Sequence, residues 1–504
     1  MLVAWLTISK AMTSAPDRAM VLATCTAVTF LYSMSLTAVN VSLPQIQGAL
    51  SATPDQLAWV ITSNLVATAV MTPLTGWLAV RFGERRLCLA CVGGFAAASA
   101  ACGLSGSIET LVAWRTVQGA AGAPLVPMSQ AIVLASYPRE RHGAVISIFG
   151  IASVLGPVVG PVLGGALAEA YDWRAVFFMM VPFAAAALVA CWLFIRDAQA
   201  PRTVRLDWTG FLMLSAALAG LQLMLDRGER AGWFSSAEIV GWAALAALGL
   251  YLFVAHTFTA PRPFLDPRLL RERNFALGLA LIFVFGMLNF TPMTMLPPML
   301  QGVAGYPDSV IGWVLGARGM GTMAGFALMI YASRFDPRVM IGLGFLLQAL
   351  AGWQLARLDP GFGVHDVFWP MALQGLGVGL LWVPITMVAF STLEGEQLAE
   401  GTAVYHMLRN IGSSVHISLS TVLVVHMTQM SHAELSPNIS RYNEALALPW
   451  VRGSLDLGDA QSLAAIESEI ARQASMVGYL DSFWAFSVTA LVVLPLILLV
   501  RWKR

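Results

Sequence analysis

Long apolar runs, separated by short polar and mostly basic segments, alternate along all 504 residues. A helix needs about 20 mostly apolar residues to cross a bilayer. By that measure the chain predicts spans near 20–46, 57–79, 87–105, 110–135, 143–168, 176–195, 208–225, 237–257, 275–298, 309–331, 339–356, 367–390, 401–427 and 480–500, fourteen in all. One long polar connection remains, about 430–478, between the last two spans. Its second half carries helix signals. Asp459 can cap, and Leu463, Ile466, Ile470, Ala474 and Val477 recur at spacings of three and four. That predicts a short, separate amphipathic helix with Glu467, Glu469 and Arg472 on its other faces.

Composition makes the class plain. The chain is 58% hydrophobic and 11% charged, where a soluble domain has about 25% charged residues. An all-α integral membrane protein is expected, with no stretch able to hold a catalytic domain, so no enzyme. A net charge of +1 gives no reason to expect a nucleic-acid partner. The five cysteines, Cys25, Cys88, Cys91, Cys102 and Cys191, all lie in apolar runs, so neither a metal nor a cofactor is expected. The short apolar start, Met1 to Ile8, lacks a preceding basic region and does not read as a cleaved signal peptide.

Charge placement orients the spans. With residues 1–19 placed in the cytoplasm, nineteen Lys and Arg fall on that side, seven on the other and three inside spans, which accounts for all 29. That bias is what insertion favours. Both termini are therefore expected in the cytoplasm of a multi-pass membrane protein.

Several spans carry residues that hydrocarbon penalises. The run Gly150 to Gly165 holds five glycines and two prolines in sixteen positions. A soluble helix would not survive that, but close helix packing in a membrane tolerates it. Arg115, Arg318 and Arg409 sit within apolar segments. A buried arginine is costly there and normally faces a cavity or a partner. For Arg115 the other reading is snorkelling to the nearby surface. His406 and His416 are the titratable candidates on span 13, and His406 shares a helical face with Arg409. For either histidine the plainer reading is a polar residue with a fixed hydrogen bond.

These motifs together resemble the major facilitator superfamily, and within it the fourteen-span drug:proton antiporters of the EmrB type. Gly150, Gly156, Pro157, Gly160, Pro161, Gly164 and Gly165 resemble its antiporter-motif helix. Gly76, Arg81, Gly83 and Arg85 match its cytoplasmic loop, although Val80 replaces the usual acid. Arg115 and Gln118 match the fourth-span motif tied to coupling-ion or substrate movement. In Met34–Pro44 of span 1, Asn40 and Pro44 match, but Ser35 stands where the family's leading proton carrier, an acid, is usual.

The resemblance implies two six-helix bundles, 20–196 and 274–504, joined by a linker, 197–273, with two extra transmembrane helices. It implies a midplane cavity with Asn40, Asn64, Arg115, Gln118, Gln130, Asn289, Arg318, His406 and Arg409 as lining candidates. The glycine-rich fifth helix is expected at the rocking interface. Coupling candidates are Ser35, Asn40, Arg115, Gln118, Arg318, His406 and Arg409. Partners implied are an amphipathic small molecule, protons, membrane lipid, and a periplasmic adaptor leading to an outer-membrane channel. Two alternatives stay open: a lipid or fatty-acid-like translocator, and an exporter without proton coupling. A membrane sensor that has lost transport is a third class.

Overall fold

The computed structural model describes residues 15–196, 204–261, 263–393, 396–439 and 460–501. The expectations for Lys10, Asp459 and the middle of the long loop fall outside these residues. The regular structure of the described residues is entirely helical. Among the described residues, fourteen helices are long and apolar enough to cross a membrane. Spans 1 to 6 are Asp17–Ala49, Pro54–Phe82, Glu84–Gly103, Ile108–Ser136, Arg139–Ala170 and Trp173–Phe194. Spans 7 and 8 are Trp208–Ala231 and Ala237–Thr259. Spans 9 to 14 are Arg273–Gly302, Ser309–Ala332, Pro337–Leu355, Val364–Ala389, Gln397–Leu435 and Gln461–Ile497.

The first six spans form one bundle and the last six a second, with spans 7 and 8 as an extra hairpin. Span 7 is not peripheral: it packs against span 2 and span 13, while span 8 packs chiefly on span 7. At the hairpin's base Asp207 caps span 7, accepting from the Gly210 N–H (3.0 Å), the Phe264 N–H (3.1 Å) and His256 Nε2 (2.9 Å). Partial burial disfavours its charge, but those donors outweigh it and hold the carboxyl below the usual carboxylate range.

Span 5 shows what its glycines are for. A Cβ on Gly156 would lie 2.7 Å from Ser33 Cβ, one on Gly160 2.6 Å from Met34 O, and one on Gly164 2.8 Å from Ala38 O. Three glycines four residues apart thus seat span 1 inside the first bundle. Pro161 has no N–H to give the Pro157 carbonyl one turn back. Thr37 of span 1 supplies the missing donor, its Oγ1 3.2 Å from Pro157 O. The same span reaches the second bundle through two other glycines, Gly143 against Ser333 and Gly150 against the Phe326 ring.

Span 13, 39 residues long, extends about 58 Å at 1.5 Å per residue, nearly twice the hydrocarbon thickness. Its far end packs along the start of span 14, at the end of the molecule opposite the basic loops. The separate amphipathic helix expected after Asp459 is instead the first part of span 14. No proline interrupts Ala460–Val492, so nothing ends the helix before it enters the membrane. Ile466, Ile470 and Ala474 are buried, Gly478 abuts Val424 O, and His432 Nε2 lies 2.8 Å from Glu467 Oε1.

Candidate functional site

The site is built on two helix crossings that repeat between the bundles. In the first bundle, span 4 crosses span 2 where Gly119 abuts the Asn64 backbone. In the second, span 12 crosses span 10 where Gly375 abuts the Arg318 backbone. Each glycine follows a glutamine, Gln118 or Gln374, and each glutamine accepts from a buried arginine.

Arg115, 3% exposed, donates through Nε to Val60 O (3.1 Å) and through Nη1 to Gln118 Oε1 (2.5 Å). Gln118 Nε2 in turn donates to Ser99 Oγ (2.7 Å), and Asn64 Nδ2 donates to Arg115 O (2.9 Å). This arrangement excludes snorkelling: the guanidinium is turned inward and held by spans 2 and 4. Arg318, 6% exposed, donates through Nε to Gln374 Oε1 (2.8 Å). Its Nη2 meets both oxygens of Asn289 at 2.7 Å, and its Nη1 lies 3.1 Å from Met293 Sδ. Gln348 Nε2 steadies Gln374 through its carbonyl (2.9 Å). Arg409 donates from Nε and Nη2 to Asn410 Oδ1 (3.3 and 3.0 Å) and lies 5.2 Å above the Trp382 ring.

Every partner of these three guanidinium groups is neutral. Among the described residues none of the three stands in an ion pair. In low dielectric, a positive charge balanced only by dipoles favours a nearby anion.

The bundles also meet at one polar pair. His406 Nε2 on span 13 lies 2.5 Å from Gln130 Oε1 on span 4. Both side chains are fully buried, and His406 Nδ1 and Gln130 Nε2 have no further partner. The Trp382 and Tyr405 rings flank the imidazole at 5.8 and 5.6 Å. His416 differs. Its Nδ1 sits 2.8 Å from Thr291 Oγ1 and 3.2 Å from Ser420 Oγ, all inside the second bundle, which makes it a fixed internal polar contact.

Other expected residues lie elsewhere. Ser35 Oγ donates to Tyr32 O (2.7 Å) along its own helix. Asn40 is exposed, in the half of span 1 far from the basic loops. In the loop motif, Gly76 seats span 2 on Glu400 of span 13, its Cβ position 2.9 Å from Glu400 Cα. Gly83 takes φ +85° at the turn, and Arg85 Nη2 donates to Trp192 O (2.7 Å). Arg81 closes the basic end of span 2, partly exposed. The bundles therefore touch near the basic loops, at Gly76–Glu400, Gly143–Ser333 and Gly150–Phe326. Further along span 10, Gly319 is 3.0 Å from Val158, and Gly316 and Gly312 face open space.

Sequence reasoning missed Gln374, Gln348, Asn410 and Trp382. The Gln-Gly pair at 118–119, repeated at 374–375, was the available signal for Gln374.

Comparison with known proteins agrees with this architecture. The profile of the Major Facilitator Superfamily matches residues 25–416. The multidrug export protein EmrB of Escherichia coli K12 is 32% identical over 476 residues, which cover 93% of this chain and 92% of that one. The fatty acid resistance protein FarB of Neisseria gonorrhoeae is 30% identical over 478 residues, covering 94% of each. Among solved structures, the human organic anion transporter MFSD10 superposes with a TM-score of 0.63 at 15% identity, over 96% of this chain and all of that one. The proton:xylose symporter XylE superposes at 0.61 and 11% identity, over 96% of this chain and 95% of that one. These two likenesses concern the fold.

Proposed function

The chain belongs to the major facilitator superfamily, and from that premise we propose that it is a drug efflux transporter whose preferred cargo is an amphipathic anion. The observation that carries this reading is the set of three buried arginines, Arg115, Arg318 and Arg409, bonded only to neutral groups. A cationic substrate would meet uncompensated positive charge, whereas a carboxylate would neutralise it. The surrounding apolar wall suits the rest of an amphiphile. The names of EmrB and FarB, multidrug export and fatty acid resistance, fit both halves of that description.

Transport runs by proton antiport, with His406 in the role that an acid on span 1 would otherwise fill. In support, Ser35 is spent on its own helix, while His406 sits on the contact between bundles with one ring nitrogen unpartnered. The basic loops face the cytoplasm, the membrane is the inner membrane, and both termini lie inside. The extension of spans 13 and 14 then stands in the periplasm, where it meets an adaptor leading to an outer-membrane channel.

The test is transport by purified protein in liposomes carrying a pH gradient. A fluorescent alkyl carboxylate should accumulate and collapse the gradient, and its uncharged amide should not compete. Equal handling of the amide, or of an alkylammonium probe, would remove the anion preference. Transport without proton movement would remove the antiport.

A further inference from the structure

The inserted hairpin holds the two bundles unequally. Toward span 2, span 7 makes charged and multiple contacts. Arg227 pairs with Asp55 (3.1 Å) and lies 5.0 Å over the Trp59 ring, and Thr62 Oγ1 bonds Asp226. Glu238 at the start of span 8 grips the same guanidinium at 2.6 Å, which locks the hairpin's own turn to that anchor. Toward span 13, among the described residues, span 7 makes two neutral hydrogen bonds. Ser414 Oγ lies 3.0 Å from Gln222 Oε1, and Ser418 Oγ donates to Leu225 O at 3.1 Å.

A crevice runs along this weaker side, lined by Ala69, Leu218, Gln222, Met407, Asn410 and Ser414. Its lining is mostly apolar with a polar inner edge. That edge is Asn410, whose Oδ1 holds the Arg409 guanidinium. On the opposite flank spans 5 and 10 meet directly, Gly150 on Phe326 and Gly319 on Val158. When two bundles rock, a helix fastened to both must release one. Here the contacts with span 13 are the fewer and the uncharged ones.

We propose that the seam between span 7 and span 13 is a side entrance through which an amphipathic anion passes from the membrane to Arg409, with span 7 carried by the first bundle. This rests on the amphiphile-export reading above. The alkyl chain enters among Leu218, Met407 and Ala69, and the anionic head is drawn past Gln222 and Ser414 toward Asn410 and Arg409. An aqueous route would not need this seam to open.

Two cysteine pairs separate the possibilities, since all five native cysteines are buried. One pair, Gln222→Cys with Ser414→Cys, spans the seam. The other, Thr62→Cys with Asp226→Cys, ties span 7 to span 2. Each is bridged in the full-length protein by a short bis-methanethiosulfonate, and uptake of a fluorescent alkyl carboxylate into liposomes is followed before bridging, after it, and after reduction. Bridging the seam should lower transport at least tenfold and reduction should restore it. Bridging the span 2 side should leave transport within twofold. Full transport through a bridged seam overturns the proposal, and so does an equal block by both bridges. Failure of the amphiphile reading shows separately, because the wild type would then leave the probe unmoved before any bridge is made, and the proposal would fall with it.

Discussion

His406 Nε2 and Gln130 Oε1 lie 2.5 Å apart across the boundary between the two bundles, each on a fully buried side chain. With Nε2 as donor to the amide oxygen, Nδ1 carries the lone pair and faces no partner. A buried unsatisfied acceptor costs roughly 1–3 kcal/mol. A proton on Nδ1 would turn it into a donor that meets no acceptor in this arrangement either, so a protonated ring needs a partner brought by movement of the bundles. Any rocking of the bundles must also break this bond. The consequence is a coupling test at one residue. His406→Ala should still move an alkyl carboxylate down its own gradient but lose acceleration by a pH gradient, measured in liposomes. An undiminished response to the gradient would show that the proton travels elsewhere.

Ser35 gives the complementary experiment. Its hydroxyl bonds Tyr32 O on the same helix and leaves His406 alone. In the His406→Ala background, Ser35→Asp should restore part of the pH-driven component, because it returns an acid to the span 1 position where the family resemblance places one. No recovery at any pH would mean the surrounding groups no longer support a carrier there.

The two arginine–glutamine crossings predict strict shape requirements. Arg115 and Arg318 each use different nitrogens for different partners, a fork that lysine cannot copy. Losing one hydrogen bond to a charged group costs about 1.5–3 kcal/mol, or roughly 10–100-fold. Arg115→Lys and Arg318→Lys should therefore each lower transport by at least about tenfold while the protein still inserts, as read by detergent-extracted yield and gel-filtration profile. Transport near the wild-type rate in both would reduce the crossings to packing.

How much of this was legible before the structure follows from what each signal encodes. Span number was plain because hydrocarbon demands apolar runs of fixed length, and all fourteen appeared. The end of span 14 that lies outside the membrane was misread because amphipathic spacing marks a buried face without saying whether the helix continues. Ile466 and Ile470 are buried as their spacing implied, yet on a helix unbroken into the membrane. Arg115, Arg318 and Arg409 stood out because charge is rare in spans. Gln118 and Asn289 stood out as lining candidates, but Gln374 did not, and neither did the pairing of Asn289 with Arg318, since sequence spacing carries no record of which helices cross. The glycines of span 5 announced close packing but not its object, which is span 1 at four of them, Gly165 only through a side chain, and the second bundle at two.

That division predicts unequal effects along one helix. A Cβ on Gly160 meets span 1 backbone at 2.6 Å, whereas one on Gly165 meets only the Val41 side chain at 3.3 Å. Overpacking by added methylenes typically costs about 1–3 kcal/mol. Gly160→Leu should cost at least that much, lowering the melting temperature of the detergent-solubilised protein and its yield. Gly165→Ala should melt within a few degrees of the wild type. If both variants melt alike, the backbone contact is not what span 5 needs.

The projecting ends of spans 13 and 14 carry the last prediction. Met430, Leu435 and Leu463 stay exposed there, at 46%, 37% and 45%, while Ile466 and Ile470 are buried against their neighbours. Deleting this region would remove the buried pair and confuse docking with folding. Charging the exposed apolar positions avoids that. Met430→Glu combined with Leu463→Glu should leave liposome transport within twofold, because neither residue touches the arginine crossings. If an adaptor docks on this extension, a desolvated apolar contact there would be replaced by two buried charges. Co-purification with the adaptor and whole-cell resistance should then fall together. A double variant that still pulls down the adaptor and still protects cells would move the docking surface off these two helices.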